Sequence, residues 1–376
     1  MLNWDEEIIF NDGDSFFNDL FESISNAKKT INIESYIFDL DVLGLKLLNS
    51  LSAAAERGVI VKLLIDGAGC SEWNFSDAEK FRKNNFQIRF FHPLTWQRKH
   101  SRLWTFLSIN KIIRGLSLFN HRNHRKVFLV DEHAYVGSMN VTSKHLKSVY
   151  HQQAWRDTVV RLRGEKIHVL YETFNEAWRF YNNYILRYLQ KITASSGMPL
   201  IMLNRTIKQR RHTYHCLIQR LLSAKTKIYI TTPYFIPTLR MRRILKKAAE
   251  NGVEVVAILP RKNDFIGVKL AMNGFYSSLL KSGIKIFEYQ PSMLHAKVLI
   301  TDHRVMIGST NMNSRSLLLD LEVDIEITHS DNIKLIQSQF KEDLSQCKEI
   351  YLNEWNQRSL YEKFLEKIFF WFRLVL

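Results

Sequence analysis

The sequence predicts an α/β protein of two similar lobes, each a mixed, mostly parallel sheet flanked by helices, related by a pseudo-twofold axis. Two observations support this prediction. Strand-like and helical runs alternate in both halves of the chain, a pattern typical of α/β layers. The stretch HRKVFLVDEHAYVGSMN (124–140) also returns as HAKVLITDHRVMIGSTN (295–311) with the same internal spacing. A duplication of this kind predicts two copies of one structural unit.

The individual elements follow from apolar periodicity. In the first half the predicted elements are helix 14–29, strand 31–38, helix 43–58, strand 59–67, helix 76–84 and strand 87–91. In the second half they are helix 215–227, strand 228–235, helix 241–252 and strand 253–260. Gly58 and Gly252 follow the equivalent helices and are predicted C-caps. The repeat therefore covers whole lobes.

These elements divide the chain into four parts. The prediction places the first lobe at 1–185, a basic linker at 186–210, the second lobe at 205–350 and a C-terminal amphipathic membrane-associating helix at 351–376. The basic stretch NRTIKQRRH (204–212) is interpreted as a solvated connector.

The composition indicates a basic globular protein. The chain has 376 residues, 46% of them hydrophobic, and a formal net charge of +16. This length allows a substantial core, and this charge predicts an anionic partner such as nucleic acid or anionic lipid. Three widely separated cysteines and the absence of a CxxC or HExxH pattern predict a reducing compartment and offer no obvious metal site. No apolar run reaches about 18 residues, so no transmembrane helix is predicted.

The repeated motif is interpreted as a strand, a tight turn and a second strand. Side chains alternate along a strand, so His124 and Lys126 are expected on one face. Asp131 has the opposite parity and suits a structural role better than substrate contact. Pairing about the turn brings Asn140 back towards His124. The corresponding residues of the second copy are His295, Lys297, Asp302 and Asn311.

This set of groups suits phosphate chemistry. A neutral imidazole can attack phosphorus, and a protonated one can supply the leaving group's proton. Lysine and asparagine side chains can stabilise charge on the non-bridging oxygens. One copy alone is better explained by a hydrogen-bonded histidine at a strand end and a solvated lysine. Two matched copies favour a site that uses both imidazoles.

The motif and its Gly-Ser-x-Asn tail resemble the phospholipase D superfamily. Several stretches are similar to its cardiolipin synthase branch: GSTNMNSRSLLLDLEV (308–323), TTPYFIP (231–237), and WRDTVVRLRG (155–164) before FNEAW (174–178). The resemblance covers about residues 8 to 350. It implies a histidine nucleophile, a phosphohistidine intermediate and neither metal nor cofactor. It also implies one acidic partner downstream of each motif, which is Asp157 for His124 and Glu322 for His295.

The resemblance and the motif together define the predicted site. The catalytic set is His124, Lys126, Asp131, His295, Lys297 and Asp302, and the phosphate-binding set is Asn140, Asn311, Ser138 and Ser309. Tyr36 and Tyr234 end equivalent strands and are candidates either for substrate contact or for packing. Asn313, Asp320 and Ser138 depart from the family's usual Asp, Asn and Gly, which leaves acceptor specificity open.

The favoured function is a cardiolipin synthase that transfers a phosphatidyl group between two phosphatidylglycerol molecules and releases glycerol. We expect His124 to be the nucleophile and His295 the general acid, then base. The alternatives are a hydrolytic phospholipase D, a phosphatidyltransferase using phosphatidylethanolamine, a phosphodiesterase nuclease and a non-enzymatic binding protein. Two complete motifs in one chain disfavour the last two. The sequence carries no signal for oligomeric state.

Two further segments bear on membranes. Segment 96–123 interleaves basic and bulky apolar residues, and 361–376 is apolar at helical spacing. Either can lie at the surface of an anionic bilayer or pack on the body of the protein. The chain resembles the short form of the family without N-terminal transmembrane helices. We therefore expect a peripheral protein at the cytoplasmic face of a bacterial inner membrane, bound to anionic phospholipid.

Overall fold

The structure is a computed structural model that describes residues 3–98, 121–179 and 199–371. Most of the predicted basic and apolar segment 96–123 lies outside the described residues, as do the last five residues of the predicted C-terminal helix. No helix within the described ranges combines the length and apolar character needed to span a bilayer.

The first lobe is built on a seven-stranded mixed sheet. Its strands are β1 (Glu6–Phe10), β2 (Thr30–Ser35), β3 (Ile60–Asp66), β4 (Phe86–Phe91), β5 (Val127–Val130), β6 (His133–Gly137) and β7 (Val159–Arg163). Their order is β1-β7-β6-β5-β2-β3-β4. The mixed sheet is confirmed, but only β2, β3 and β4 run parallel. The motif hairpin β5–β6 pairs antiparallel with both of its neighbours.

The second lobe repeats this plan. Its strands are β8 (Ile201–Leu203), β9 (Lys227–Thr231), β10 (Phe235–Ile236), β11 (Glu254–Pro260), β12 (Lys285–Tyr289), β13 (Val298–Thr301), β14 (Arg304–Gly308), β15 (Met312–Asn313), β16 (Val323–Ile327) and β17 (Cys347–Ile350). The eight-stranded sheet has the order β17-β12-β11-β9-β13-β14-β16-β8, and β10 pairs with β15 beside it. The second motif hairpin is β13–β14, flanked as in the first lobe. The predicted duplication of whole lobes is confirmed.

The predicted helices lie within a few residues of their expected places, with one exception described below, and the other helices were not predicted. Those of the first lobe are α1 (Gly13–Asn26), α2 (Val42–Glu56), α3 (Phe75–Phe81), α4 (Lys147–Tyr150) and α5 (His168–Arg179). Those of the second are α6 (Ile207–Ser223), α7 (Leu239–Glu250), α8 (Ile266–Leu280), α9 (Ser314–Leu318), α10 (Ser330–Ser345), α11 (Leu352–Asn356) and α12 (Leu360–Trp371). Gly58 and Gly252 follow α2 and α7 with φ of 95° and 84°, the left-handed conformation expected of helix ends.

The two sheets share a central core. One face of each sheet contributes to a single apolar cluster, which includes Val136 and Val160 from the first lobe and Ile300 and Ile325 from the second. The opposite faces are covered by helices, α1 and α2 on the first lobe and α6 and α8 on the second. The result is a helix–sheet–sheet–helix arrangement in which the two motif hairpins meet across the lobe boundary.

The prediction of a solvated connector at 204–212 is wrong. Thr206 caps α6 by accepting the backbone N–H of Gln209, so the helix begins at Ile207 and takes in most of the basic stretch. Arg210 is buried and donates hydrogen bonds to the carbonyls of Asn204 and Leu318. A charge run read from composition looks solvated, whereas here tertiary contacts bury one of its members.

The C-terminal helix α12 packs on α8. Phe369 and Phe370 lie against Gly267 and Gly274, where a Cβ would come within 2.9 and 3.1 Å of the rings. Buried Glu366 forms an ion pair with Arg358. The opposite face remains exposed and apolar, with accessible fractions of 38–83% at Leu360, Tyr361, Phe364, Ile368 and Trp371.

Candidate active site

Both motifs form antiparallel hairpins of the same register. Val127 pairs with Val136 in the first lobe, and Val298 pairs with Ile307 in the second. Each first strand begins one residue after the motif lysine, so the histidine and lysine precede the strand instead of alternating along it. Both histidines and both lysines are nonetheless buried at the lobe boundary.

The motif aspartates are placed away from the histidines. Asp131 and Asp302 occupy the hairpin turns with φ of 47° and 52°. Asp131 accepts the backbone N–H groups of residues 28–30, and Asp302 accepts those of residues 225–227. Burial alone would raise the pKa of each carboxyl, but these hydrogen bonds lower it. They tie each hairpin to the segment that follows α1 or α6, so Asp131 and Asp302, which the prediction included in the catalytic set, lie in structural positions at the turns.

The two imidazoles pair with carboxylates of the opposite lobe. His124 Nδ1 lies 2.9 and 3.0 Å from the two oxygens of Glu322, and His295 Nδ1 lies 2.7 Å from Asp157 Oδ2. The family resemblance implied Asp157 as the partner of His124 and Glu322 as the partner of His295, and that assignment is wrong.

The backbone explains the exchange. The N–H of His124 donates to the carbonyl of Leu321, the residue before Glu322. The N–H of His295 donates to the carbonyl of Arg156, the residue before Asp157. Each motif is thus joined through short bridges to the carboxylate-bearing segment of the other lobe.

The motif serines contact these carboxylates. Ser138 Oγ donates to Asp157, and Ser309 Oγ donates to Glu322. Ser138 and Ser309 were predicted to bind phosphate, but in the structure their hydroxyl groups orient Asp157 and Glu322 instead. Each half-site is a chain of serine, carboxylate and imidazole assembled from both lobes.

The motif lysines are buried cations, and hydrogen bonds to backbone carbonyls use only some of their ammonium N–H groups. Lys126 Nζ donates to the carbonyl of His124 at 2.7 Å, and Lys297 Nζ donates to that of His295 at 2.9 Å. Lys297 Nζ also lies 3.3 Å from His295 Nε2. Burial lowers the pKa of Lys126 well below its ordinary value and that of Lys297 to about 8, and the charge of Lys297 adds to the effect at Lys126. A bound anion would restore the missing countercharge.

The two asparagines differ in their partners. Asn140 Oδ1 accepts the backbone N–H of Ile37 at 3.3 Å. Asn311 Oδ1 is buried with no hydrogen-bond partner within the described residues. An unsatisfied buried acceptor of this kind is suited to a hydroxyl or N–H donor of a substrate.

The acidic and imidazole groups are electrostatically unequal. Burial lowers the pKa of both imidazoles, and the charges of Lys126 and Lys297 lower both further, whereas the charge of Asp157 opposes this at His295. Burial raises the pKa of Glu322 to about 7. Burial would also raise that of Asp157, but its ion pair with His295 outweighs this and holds the pKa of Asp157 below its usual range. The Asp157–His295 pair therefore favours an ionised carboxylate beside an imidazolium more than the Glu322–His124 pair does.

Aromatic residues line the histidines. The Tyr36 ring lies edge-on to the His124 ring at 4.9 Å, with Lys126 Nζ 5.1 Å from its centre. Of the two roles considered for Tyr36, this position beside His124 agrees with substrate contact. Tyr234 donates to Asp264 at 2.7 Å. Trp155, which sequence reasoning did not single out, contacts His295 with ring centres 5.4 Å apart.

Sequence reasoning also missed His145, which lies beside Asp157. His145, Asp157 and His295 form a group whose donor atoms lie within 4.8 Å of one another, close enough to hold a metal ion. One edge of this group is already a hydrogen bond, from His295 to Asp157. The sequence repeat does not mark His145, because the position with the same spacing in the second copy is Ser316.

With this geometry established, comparison with known proteins identifies the family. A family model described as "Cardiolipin synthase, PLD-like domain" matches residues 20–178 and 217–344. The chain belongs to this family. It is 32% identical over 373 residues to cardiolipin synthase 1 of Staphylococcus epidermidis, covering 95% of this chain and 71% of the relative.

Other curated relatives carry the same family name, and two solved structures share the fold. A cardiolipin synthase of Clostridium perfringens is 30% identical, covering 96% of this chain and 75% of the relative. A probable cardiolipin synthase of Bacillus subtilis is 29% identical, covering 91% and 66%. The fold matches a phosphatidylserine synthase of Haemophilus influenzae with a TM-score of 0.73, 14% identity and coverage of 100% and 96%. It also matches a polyphosphate kinase of Porphyromonas gingivalis with a TM-score of 0.59, 13% identity and coverage of 90% and 50%. The chain therefore spans about two thirds to three quarters of the length of the curated relatives named here.

Proposed function

We propose that the protein is a cardiolipin synthase that joins two phosphatidylglycerol molecules and releases glycerol through a phosphohistidine intermediate. The observation that carries the proposal is the pair of buried imidazoles, each held by a carboxylate of the other lobe, with a lysine beside each. Family membership supports phosphatidyl transfer as the reaction class. The identity of both lipids is part of the proposal.

In the first step His124 Nε2 attacks the phosphorus of one phosphatidylglycerol. A P–N bond forms, and the P–O bond to the glycerol headgroup breaks. Glu322 accepts the Nδ1 proton in a hydrogen bond, which leaves the Nε2 lone pair free. His295 acts in its imidazolium form, which the charges of Asp157 and of the bound phosphate stabilise although burial lowers the pKa of this imidazole, and it donates its Nε2 proton to the departing glycerol oxygen.

In the second step a hydroxyl of another phosphatidylglycerol attacks phosphorus. His295 removes its proton, the new P–O bond forms and the P–N bond to His124 breaks. Lys126 and Lys297 stabilise the non-bridging oxygens in both steps, and the side-chain N–H of Asn311 can donate to these oxygens as well. The assignment of His124 as nucleophile is supported by the lowered pKa of its imidazole, which favours the neutral form, and by the ionised Asp157 beside His295, which favours the imidazolium there.

The test uses purified protein and phosphatidylglycerol in mixed micelles with a chelator present. Cardiolipin and glycerol should appear in equal amounts, and His124→Ala should abolish both. Phosphatidic acid as the main product would instead make this a hydrolytic phospholipase D. Turnover only when phosphatidylethanolamine is added would reassign the donor or acceptor lipid.

We also propose that the exposed face of α12 contacts the membrane. Phe364 and Trp371 are 61% and 79% exposed on this face, and Phe265 and Ile266 are exposed at the neighbouring end of α8. An apolar helix face on a protein of net charge +16 suits the headgroup boundary of an anionic bilayer. The free cysteines fit a reducing compartment and hence the cytoplasmic face of a bacterial inner membrane.

Vesicle binding tests this surface. Phe364→Ser combined with Trp371→Ser should weaken binding to phosphatidylglycerol vesicles while leaving turnover of short-chain, monomeric phosphatidylglycerol intact. Leu335→Ser is the matched control, because Leu335 is 46% exposed on α10, outside the α12 face. Equal vesicle binding by the double variant and the control would contradict the proposed surface.

A further inference from the structure

His145 is a fully buried imidazole that the mechanism above does not use. Its Nε2 accepts the backbone N–H of Asn140 at 3.3 Å, so the ring proton of the neutral form is on Nδ1. Nδ1 has no hydrogen-bond partner within the described residues, and it lies 3.8 Å from Asp157 Oδ2. A buried ring N–H therefore lies near the carboxylate that holds His295, beyond hydrogen-bond length but close enough for a charge–dipole interaction.

The second lobe has a different residue at this place. His145 lies seven residues after Ser138, and Ser316 lies seven residues after Ser309. The Ser316 side chain forms a hydrogen bond to Glu322. The two half-sites thus match in the serine that donates to the carboxylate, Ser138 or Ser309. They differ in the second group beside the carboxylate, which is the imidazole of His145 in one lobe and the hydroxyl of Ser316 in the other.

The surroundings keep His145 in place and uncharged. The Trp155 ring contacts both His145 and His295, with ring centres 5.4 Å apart in each case. Burial lowers the pKa of His145 to about 3, although the charge of Asp157 opposes this. His145 is therefore a neutral dipole at neutral pH and does not repel the imidazolium form of His295, whose ring centre is 6.0 Å away.

We infer that His145 is a positioning residue that commits His295 to the general-acid role by keeping Asp157 ionised. When His295 is an imidazolium, its Nδ1 proton can move to a buried carboxylate, leaving a neutral imidazole that is a weak acid. An N–H dipole directed at Asp157 stabilises the anion and opposes that transfer. Glu322 lacks such an imidazole, which leaves His124 as the neutral nucleophile. The inference rests on the proposed function.

Leaving-group dependence provides the test. Release of glycerol needs a general acid, whereas release of p-nitrophenolate from a phosphatidyl p-nitrophenol diester does not. In His145→Ala, formation of the phosphoenzyme from phosphatidylglycerol should fall by about 10- to 100-fold, part of the 10²–10⁴ that a general acid contributes. The p-nitrophenolate burst should change by less than about threefold on that same reasoning. Burst amplitude also reports the fraction of folded, active enzyme.

A conservative variant and a pH profile exclude a merely structural role. The side-chain amide of Asn can place an N–H near the Nδ1 position, so His145→Asn should recover most of the lost rate with phosphatidylglycerol. In His145→Ala the alkaline fall of that rate should move to higher pH, because Asp157, less stabilised as an anion, holds the proton it shares with His295 more tightly. Equal losses with both substrates and an unmoved pH profile would overturn the inference. Wild-type turnover of both substrates tests the proposed function in the same assay, independently of this ratio.

Discussion

Replacing Glu322 by Gln should reduce phosphoenzyme formation by about 10⁴-fold, because it reverses the tautomer of His124. Both Glu322 oxygens lie within 3.0 Å of His124 Nδ1, and the carboxylate is buried. The amide of Gln would offer an N–H in the same place, so Nδ1 would become the acceptor and Nε2 would carry the proton. No lone pair would then face phosphorus. The loss corresponds to about 5 kcal/mol of barrier.

The matching change in the other half-site should behave differently. Asp157→Asn would leave His295 with a proton on Nε2 but without the negative charge that stabilises its imidazolium. Glycerol release should then fall by about 10²–10⁴, whereas p-nitrophenolate release needs no acid and should be largely preserved. Glu322→Gln should therefore resemble His124→Ala with both leaving groups, and Asp157→Asn should resemble His295→Ala.

Rapid-quench detection of the acid-labile phosphoenzyme, with p-nitrophenolate followed in parallel, measures both effects. Thermal unfolding of each variant serves as the control for folding. If Asp157→Asn blocked the burst while Glu322→Gln spared it, His295 would be the nucleophile and the assignment of roles would be reversed. If Glu322→Gln lost less than tenfold with either leaving group, the tautomer argument would be refuted.

Three further outcomes are expected. Asp302→Ala should lower the free energy of unfolding in urea by about 1–3 kcal/mol at neutral pH. Because the native pKa of this carboxyl is depressed, the difference from wild type should disappear as pH falls through and below about 4. The value of kcat/KM should fall as pH rises through about 8, where Lys297 loses its proton, and Lys297→Arg should shift this fall above about pH 9. Gly308→Ala should prevent folding, since a Cβ would lie 2.3 Å from the backbone carbonyl oxygen of Val323. Gly252→Ala has open space around it and should cost only about 1–2 kcal/mol for its left-handed backbone, measured by far-ultraviolet circular dichroism melts.

The sequence was sufficient for the features that depend on local pattern. Apolar periodicity placed nearly all the helices and strands it addressed, and the spacing of the two motifs predicted the paired lobes and the clustering of His124 and His295. These features are local because alternation and turn formation involve neighbouring residues.

The features that sequence reasoning missed depend on contacts between distant segments. Asp157 and Glu322 were both identified, but chain order suggested that each serves the motif before it. Their true partners follow from backbone bridges across the lobe boundary, which have no signature in either segment alone. Ser138 was misassigned for the same reason, because its hydrogen bond to Asp157 depends on where β7 begins.

The crossed pairing explains why the two motifs act as one site. An isolated first lobe would contain His124 with no carboxylate for its Nδ1, and it would contain Asp157 with no histidine from the second motif. Each carboxylate accepts a hydrogen bond from a serine of its own lobe, but only the docked lobe supplies the imidazole that pairs with its charge, and burying an unpaired carboxylate is costly. Assembly of the lobes and assembly of the two imidazole–carboxylate pairs are therefore the same event. Once the lobes are docked, small differences between the half-sites, such as His145 against Ser316, are enough to give the two imidazoles separate roles.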